Sequence, residues 1–114
     1  MSQLFKKTKI SNMALANRFE RSATWEGMAD EDGSVTPKLI KIMTDLAKGG
    51  VGMIITSHAY VQPEGQASPW QLGIYKDELV PGLREMTGDL KIFKNLFLIL
   101  LMLLKGLKMP ILMV

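Results

Sequence analysis

Few residues in this chain have the types and spacing for chemistry. They are the run Asn17 to Gly27, NRFERSATWEG, and the single histidine, His58, which closes the run VGMIITSH. The first run begins like a strand and breaks into a small polar step, Ser22-Ala23-Thr24, followed at once by the large Trp25. Taken alone, RSATW is an ordinary strand end, and His58 suits a structural loop position better than a general base. One histidine and no cysteine supply no histidine pair, zinc ribbon, disulfide or histidine-based triad, so no catalytic residue and no metal ligand is assigned. Gly49, Gly50 and Gly52 do not make a dinucleotide fingerprint, because none follows a strand and opens a helix.

The elements that must position these residues alternate in type. Residues 8–15, TKISNMAL, predict a small hairpin turning at Ser11-Asn12. RFERSA, residues 18–23, predicts a short strand, and a loop marked by DEDGS runs from Trp25 to Val35. TPKLIKIMTDLAKGG is the clearest helix: Thr36 caps it, Pro37 fits its first turn, and Gly49 closes it in a left-handed conformation. Leu39, Ile42, Met43 and Leu46 recur at helical spacing, with Lys38, Lys41, Asp45 and Lys48 on the other side. VGMIITS, residues 51–57, is apolar almost throughout and suits a parallel strand buried on both faces. After a polar loop from Gln62 to about Tyr75, a second amphipathic helix begins near Asp77, with Leu79, Leu83, Met86 and Leu90 on one stripe and acidic residues at its start. Strand, helix, strand, helix predicts an α/β fold with a parallel sheet, as an open sheet or a closed barrel.

The bulk composition excludes several classes. The 114 residues suffice for one small domain, and 14 basic against 11 acidic residues give a net charge of only +3, with the lysines dispersed. That balance argues against nucleic acid as a partner. The start MSQLFKKTKI has no secretory apolar core, and with the absence of cysteine it points to the cytoplasm. The longest apolar run, Leu96 to Leu104, has nine residues where a membrane-spanning helix needs roughly 20.

Beyond REMTGDL the character changes. From Lys91 to Val114 there is no acidic residue, no His, no Gln and no Gly except Gly106. Three readings compete for residues 89–114: a buried helix or strand, an interfacial anchor, or an off-frame run rich in Lys, Asn, Ile, Phe and Leu. The off-frame reading is preferred, which divides the chain into residues 1–88 and a divergent apolar tail at 89–114.

The segments LFKKTKISNMALANRFERSATWEG, DEDGSVTP, LAKGGVGMIITSHAYVQPEGQ and LGIYKDELVPGLREMT, in that order, resemble the N-terminal part of the Old Yellow Enzyme family, the NADH:flavin oxidoreductases that use FMN. The resemblance covers residues 4 to about 87. It implies the N-terminal part of a (β/α)8 TIM barrel, about two βα units and incomplete, with FMN at the C-terminal ends of the strands. It implies cofactor contacts at Ser22, Ala23, Thr24 and Trp25, where small side chains and free backbone donors suit one face of a flat ring, and at His58, whose backbone lies by the pyrimidine edge. The reaction implied is of ene-reductase type: hydride from NAD(P)H to FMN, then to an activated alkene or similar small-molecule acceptor.

The resemblance also implies parts that are not found. A Gln from the third strand, a later His pair or His-Asn pair, a Tyr proton donor and the phosphate-binding groups all belong further on. Here no Gln follows Gln71 and no His follows His58. A barrel of this type takes about 250 residues. The expectation is a chain that holds FMN weakly or not at all and leaves its second strand with an unpaired edge. The rival expectation is a non-enzymatic interaction module that self-associates through its apolar tail.

Overall fold

The computed structural model describes residues 2–91, 96–102 and 111–113, the last two segments as backbone. The expected hairpin forms from β1 (Thr8–Ile10) and β2 (Met13–Leu15), paired antiparallel. Ser11 takes the left-handed backbone that the two-residue turn demands, at φ 51°.

A parallel sheet follows. β3 (Glu20–Arg21) pairs with β4 (Met53–Ile55), with Arg21 opposite Ile54. The first expected strand is therefore shorter than residues 18–23. In this register Ile55, the last residue of β4, stands opposite Ser22, but the pairing stops one step earlier and the Ile55 carbonyl accepts from the Arg21 side chain instead. The second expected strand is also divided. β4 stops at Ile55, and β5 (Ala59–Tyr60) resumes after Thr56, Ser57 and His58.

Between the strands run two helices. Helix α1 (Pro37–Lys48) is capped as the sequence predicts, with the Thr36 hydroxyl accepting from the Leu39 amide at 3.3 Å and donating to the Met28 carbonyl. Its end differs from expectation. Gly49 stays right-handed at φ −67°, and the left-handed residue is Gly50, at φ +87°, one position further out. After β6 (Leu72–Gly73), which pairs parallel to β5, a short 3-10 turn at Asp77–Leu79 leads into α2 (Val80–Lys91). Leu39, Met43 and Ala47 of α1 pack with Ile54, Ala59, Leu72 and Met86 into one buried core. The helical stripe thus lies on the sheet, and Met86 of α2 joins it.

A third long strand, β7 (Leu96–Met102), lies beside β4 and β5, parallel to both, and β8 (Ile111–Met113) pairs with it antiparallel. The architecture is three parallel strand positions with two intervening helices, one more strand than the two units expected. β4 does not carry an unpaired edge, because β3 lies on one side and β7 on the other. No closed barrel forms among the described residues.

Two loops at the C-terminal ends of these strands are tied together. The Ala29 amide donates to the Trp70 carbonyl at 3.1 Å and the Gly73 amide to the Gly33 carbonyl at 2.9 Å. The Tyr75 hydroxyl donates to the Asp32 carbonyl, and Lys76 pairs with the Asp32 carboxylate at 3.3 Å. Donation from the Ser34 hydroxyl and amide, reinforced by Lys76, holds the Asp32 carboxyl below its ordinary range. Gly33 has φ +85°, and a β-carbon there would meet the Tyr60 hydroxyl at 2.6 Å and the Gly73 nitrogen at 2.8 Å. Both the backbone conformation and the space exclude a side chain.

Two outcomes follow from this packing. Gly33→Ala is expected to lower stability by about 2–4 kcal/mol, the sum of the left-handed cost and the overpacking, read as a fall in the urea midpoint. Tyr60 is 2% exposed, and burial, then the neighbouring Tyr75, pushes its phenol up to about 12. The folded state therefore holds this proton more tightly than the unfolded state. Its contribution is complete below pH 10 and is lost as the pH rises from about 10 through about 12. A phenolate absorbance titration should show one tyrosine ionising only as the fold opens.

Candidate functional site

Ser22, Ala23, Thr24 and Trp25 follow directly from the C-terminal end of β3, and all four are exposed. They form an arch whose two ends are held by one ion pair. Arg21 Nη2 lies 2.7 Å from Glu26 Oε1, with the two side chains only 15% and 5% exposed. The same guanidinium reaches sideways, where Nη1 donates to the carbonyl of Ile55 at 3.3 Å. Arg21 thus binds the arch to the last residue of β4. Within the arch, the Thr24 hydroxyl donates to the Ser22 carbonyl at 3.1 Å, which leaves the Ala23 backbone exposed.

His58 lies past the end of β4, in the break between β4 and β5. Ile55 faces Leu98 and Ala59 faces Leu101, so three residues, Thr56 to His58, lie opposite two on β7. One extra residue in a strand is a β-bulge, which bends the chain and re-aims its side chains. The Thr56 and Ser57 side chains are buried, and their hydroxyls donate only to the next carbonyl along, each at 3.2 Å. The Nδ1 atom of His58 is buried with no hydrogen-bond partner among the described residues. A buried ring nitrogen without a partner carries a desolvation cost of about 1–3 kcal/mol, which a donor or acceptor from a ligand would offset.

The structure therefore brings the predicted residues to one end of the sheet. Ser22–Trp25 follow β3, His58 follows β4, and Arg21 joins the two strand ends. Arg21 and Glu26 were not among the residues expected from the sequence. Their signal was present as opposite charges five positions apart, enclosing the small-residue step. Among the described residues no cluster of His, Cys, Asp and Glu could hold a metal ion, and no helix is long and apolar enough to cross a membrane.

What the arrangement can do is offer a flat ligand one open backbone surface, a stacking surface at Trp25 and one unsatisfied ring nitrogen. The Arg21–Glu26 pair is predicted to control its shape. Arg21→Met leaves the Glu26 carboxylate buried and unpaired, and should cost about 3–5 kcal/mol in denaturant unfolding. Limited proteolysis should then cut within residues 22–25 first.

Comparison with known proteins bears on the same end of the sheet. The chain matches the NADH:flavin oxidoreductase / NADH oxidase family over residues 3–109. It is 33% identical over 91 residues to an NADPH dehydrogenase of Listeria monocytogenes, covering 79% of this chain and 27% of that protein. It is 34% identical over 84 residues to an NADH oxidase of Thermoanaerobacter brockii, covering 73% of this chain and 13% of that one. The chain therefore spans about a quarter of the first relative's length and less of the second's. Among solved structures, the Old Yellow Enzyme of Pichia sp. AKU4542 superposes with a TM-score of 0.81 at 20% identity, over 87% of this chain and 26% of that one. The Old Yellow Enzyme homologue of Zymomonas mobilis superposes at 0.77 and 22% identity, over 88% of this chain and 28% of that one. These two likenesses show a shared fold, and each covers about a quarter of the neighbour's chain. With a family match that spans residues 3–109 and relatives a third identical over most of the chain, this chain belongs to the NADH:flavin oxidoreductase / NADH oxidase family.

Proposed function

We propose that the chain is the N-terminal part of an FMN-dependent NAD(P)H oxidoreductase of ene-reductase type. The observation that carries this reading is the arch Ser22–Trp25 beside the bulge Thr56–His58 at the C-terminal end of a parallel sheet, in a chain of this family. When bound, FMN would take hydride from NAD(P)H and pass it to an activated alkene or a similar small-molecule acceptor. The chain's own residues serve that chemistry by position. Ser22, Ala23 and Thr24 offer small side chains and an open backbone to one ring face, and Trp25 flanks them. His58 would meet the ring's pyrimidine edge through its backbone. Arg21 and Glu26 hold both segments still.

The residues present suit the ring and not the whole cofactor. Two basic side chains near this end of the sheet are already committed, the Arg21 guanidinium to Glu26 and Ile55 and the Lys76 ammonium to the Asp32 carboxylate. The phosphate has no cradle here. We therefore expect weak FMN binding or none, and no turnover, from this chain alone. A titration of FMN followed by its fluorescence and visible spectrum tests this. Micromolar binding with a shifted spectrum would overturn the expected weakness, and its loss in Ala23→Trp would place the ring on the arch.

We also propose that residues 89–114 are read out of frame, although the family match continues to residue 109. The strand position of β7 accepts an apolar run of almost any sequence, so filling it does not testify to the side chains. The genetic code gives a sharper argument. Methionine has the single codon ATG. Reading from the third base of each codon through the second base of the next turns Leu101-Met102 into His, Asn, Asp or Tyr, followed by Ala or Val. The same frame forces Ala across Met109-Pro110 and Gly across Met113-Val114. Polar and small residues thus appear where β7 ends, as a barrel's ligand-facing strand ends require. Sequencing the DNA from the codon of Arg84 decides the matter: an open shifted frame supports the proposal, and stop codons in it refute it.

A further inference from the structure

Trp70 combines two features that conflict unless the residue has a use. Its backbone is left-handed, at φ +58°, a conformation that costs a bulky residue about 1–2 kcal/mol. Its side chain is 51% exposed, so burial does not repay that cost. The residue is held in place from outside, its carbonyl accepting from the Ala29 amide. Next to it Gln71 is fully buried, its Oε1 accepting from the Ala67 and Ser68 amides at 2.7 and 3.3 Å. The loop is therefore pinned on both sides of an indole that points outward.

That indole stands between two grooves. One, of about 730 Å³, is lined by Glu26 to Asp30, by Thr36, Pro37 and Lys38 at the start of α1, and by Trp70. The other, of about 420 Å³, is lined by Glu31 and residues 66–70. Both volumes lie in the range of small-molecule sites. The larger groove has apolar walls in Met28, Ala29, Pro37 and Trp70. Its charges nearly cancel, since Glu26 is paired with Arg21 while Asp30 and Lys38 carry opposite signs. A wall of this kind selects a flat, uncharged ring by stacking rather than an ion by attraction.

We infer that Trp70 is the stacking wall of a second ligand subsite, in the groove between residues 26–30 and the first turn of α1, for a flat heteroaromatic ring such as the adenine of the reductant. The choice of adenine rests on the function proposed above; the stacking site does not. Glu26 lines this groove and also holds the foot of the arch, so the subsite adjoins the flavin contacts without sharing Trp25 or His58.

Calorimetric titration of the full chain with adenosine, with ribose as the non-aromatic control, tests the inference. Adenosine is expected to bind and ribose not. Trp70→Phe should retain adenosine binding within a few-fold, whereas Trp70→Gly should weaken it about tenfold or more. Trp70→Gly should at the same time raise the urea midpoint, because glycine accepts the left-handed backbone. Opposite movement of stability and binding is the expected signature. Equal affinity in Trp70→Gly and the parent, or no adenosine binding by the parent, overturns the inference. A parallel FMN titration separates the two readings: micromolar FMN binding overturns the weakness expected above and leaves this subsite standing, and absence of adenosine binding overturns this subsite alone.

Discussion

A parallel strand cannot take its neighbour from a tight turn. The chain must first cross back over the sheet before the two backbones can meet, and that constraint governs the architecture of this molecule. β4 is complete only because β3 lies on one side and β7 on the other. α1 and α2 are the crossovers that make these meetings possible, and their buried stripes are the surfaces that fix the distance. β7 runs unbroken beside both β4 and β5, so the division between them is an extra residue on their side of the ladder.

The site inherits its geometry from where those ladders stop. Past Ile55 the chain gains one residue relative to β7, and past Arg21 it leaves the sheet altogether. Each departure releases backbone and side chains at the same end of the sheet. Left alone, two such segments would wander, and the guanidinium of Arg21 prevents it by joining Glu26 to Ile55. A single charged side chain, largely removed from water, thus turns two frayed strand ends into one surface.

The elements legible from the sequence were those whose cause is local. Thr36 and Pro37 announce the start of α1, Leu39 and Met43 of the stripe Leu39, Ile42, Met43 and Leu46 announce its buried face, and Ser11-Asn12 announces the hairpin turn. The ordered motifs singled out Ser22 to Trp25 and His58 as expected flavin contacts, and the structure gathers these residues at one end of the sheet. What the sequence hid depended on distant partners. The choice of Gly50 over Gly49 as the left-handed residue turns on one more residue of helix. The bulge at Thr56–His58 exists only relative to β7. Arg21 carries no mark of its reach to Ile55, because nothing local says that residues 34 positions apart will touch. The apolar tail hid its strand for a different reason, since a run apolar on every side has no period from which to read an element.

The ties between the loops at 25–35 and 62–76 have a consequence for how such a scaffold can change. Ala29 holds Trp70, Gly33 holds Gly73, and Asp32 holds both Tyr75 and Lys76. Four rungs make the two loops mechanically one body. Neither can lengthen, shorten or tilt without carrying the other, and the contact between Gly33 and Tyr60 leaves no slack to absorb the difference. Variation over this end of the sheet must therefore come in matched pairs of loop changes, so the shape of the rim is inherited as a unit rather than assembled one loop at a time.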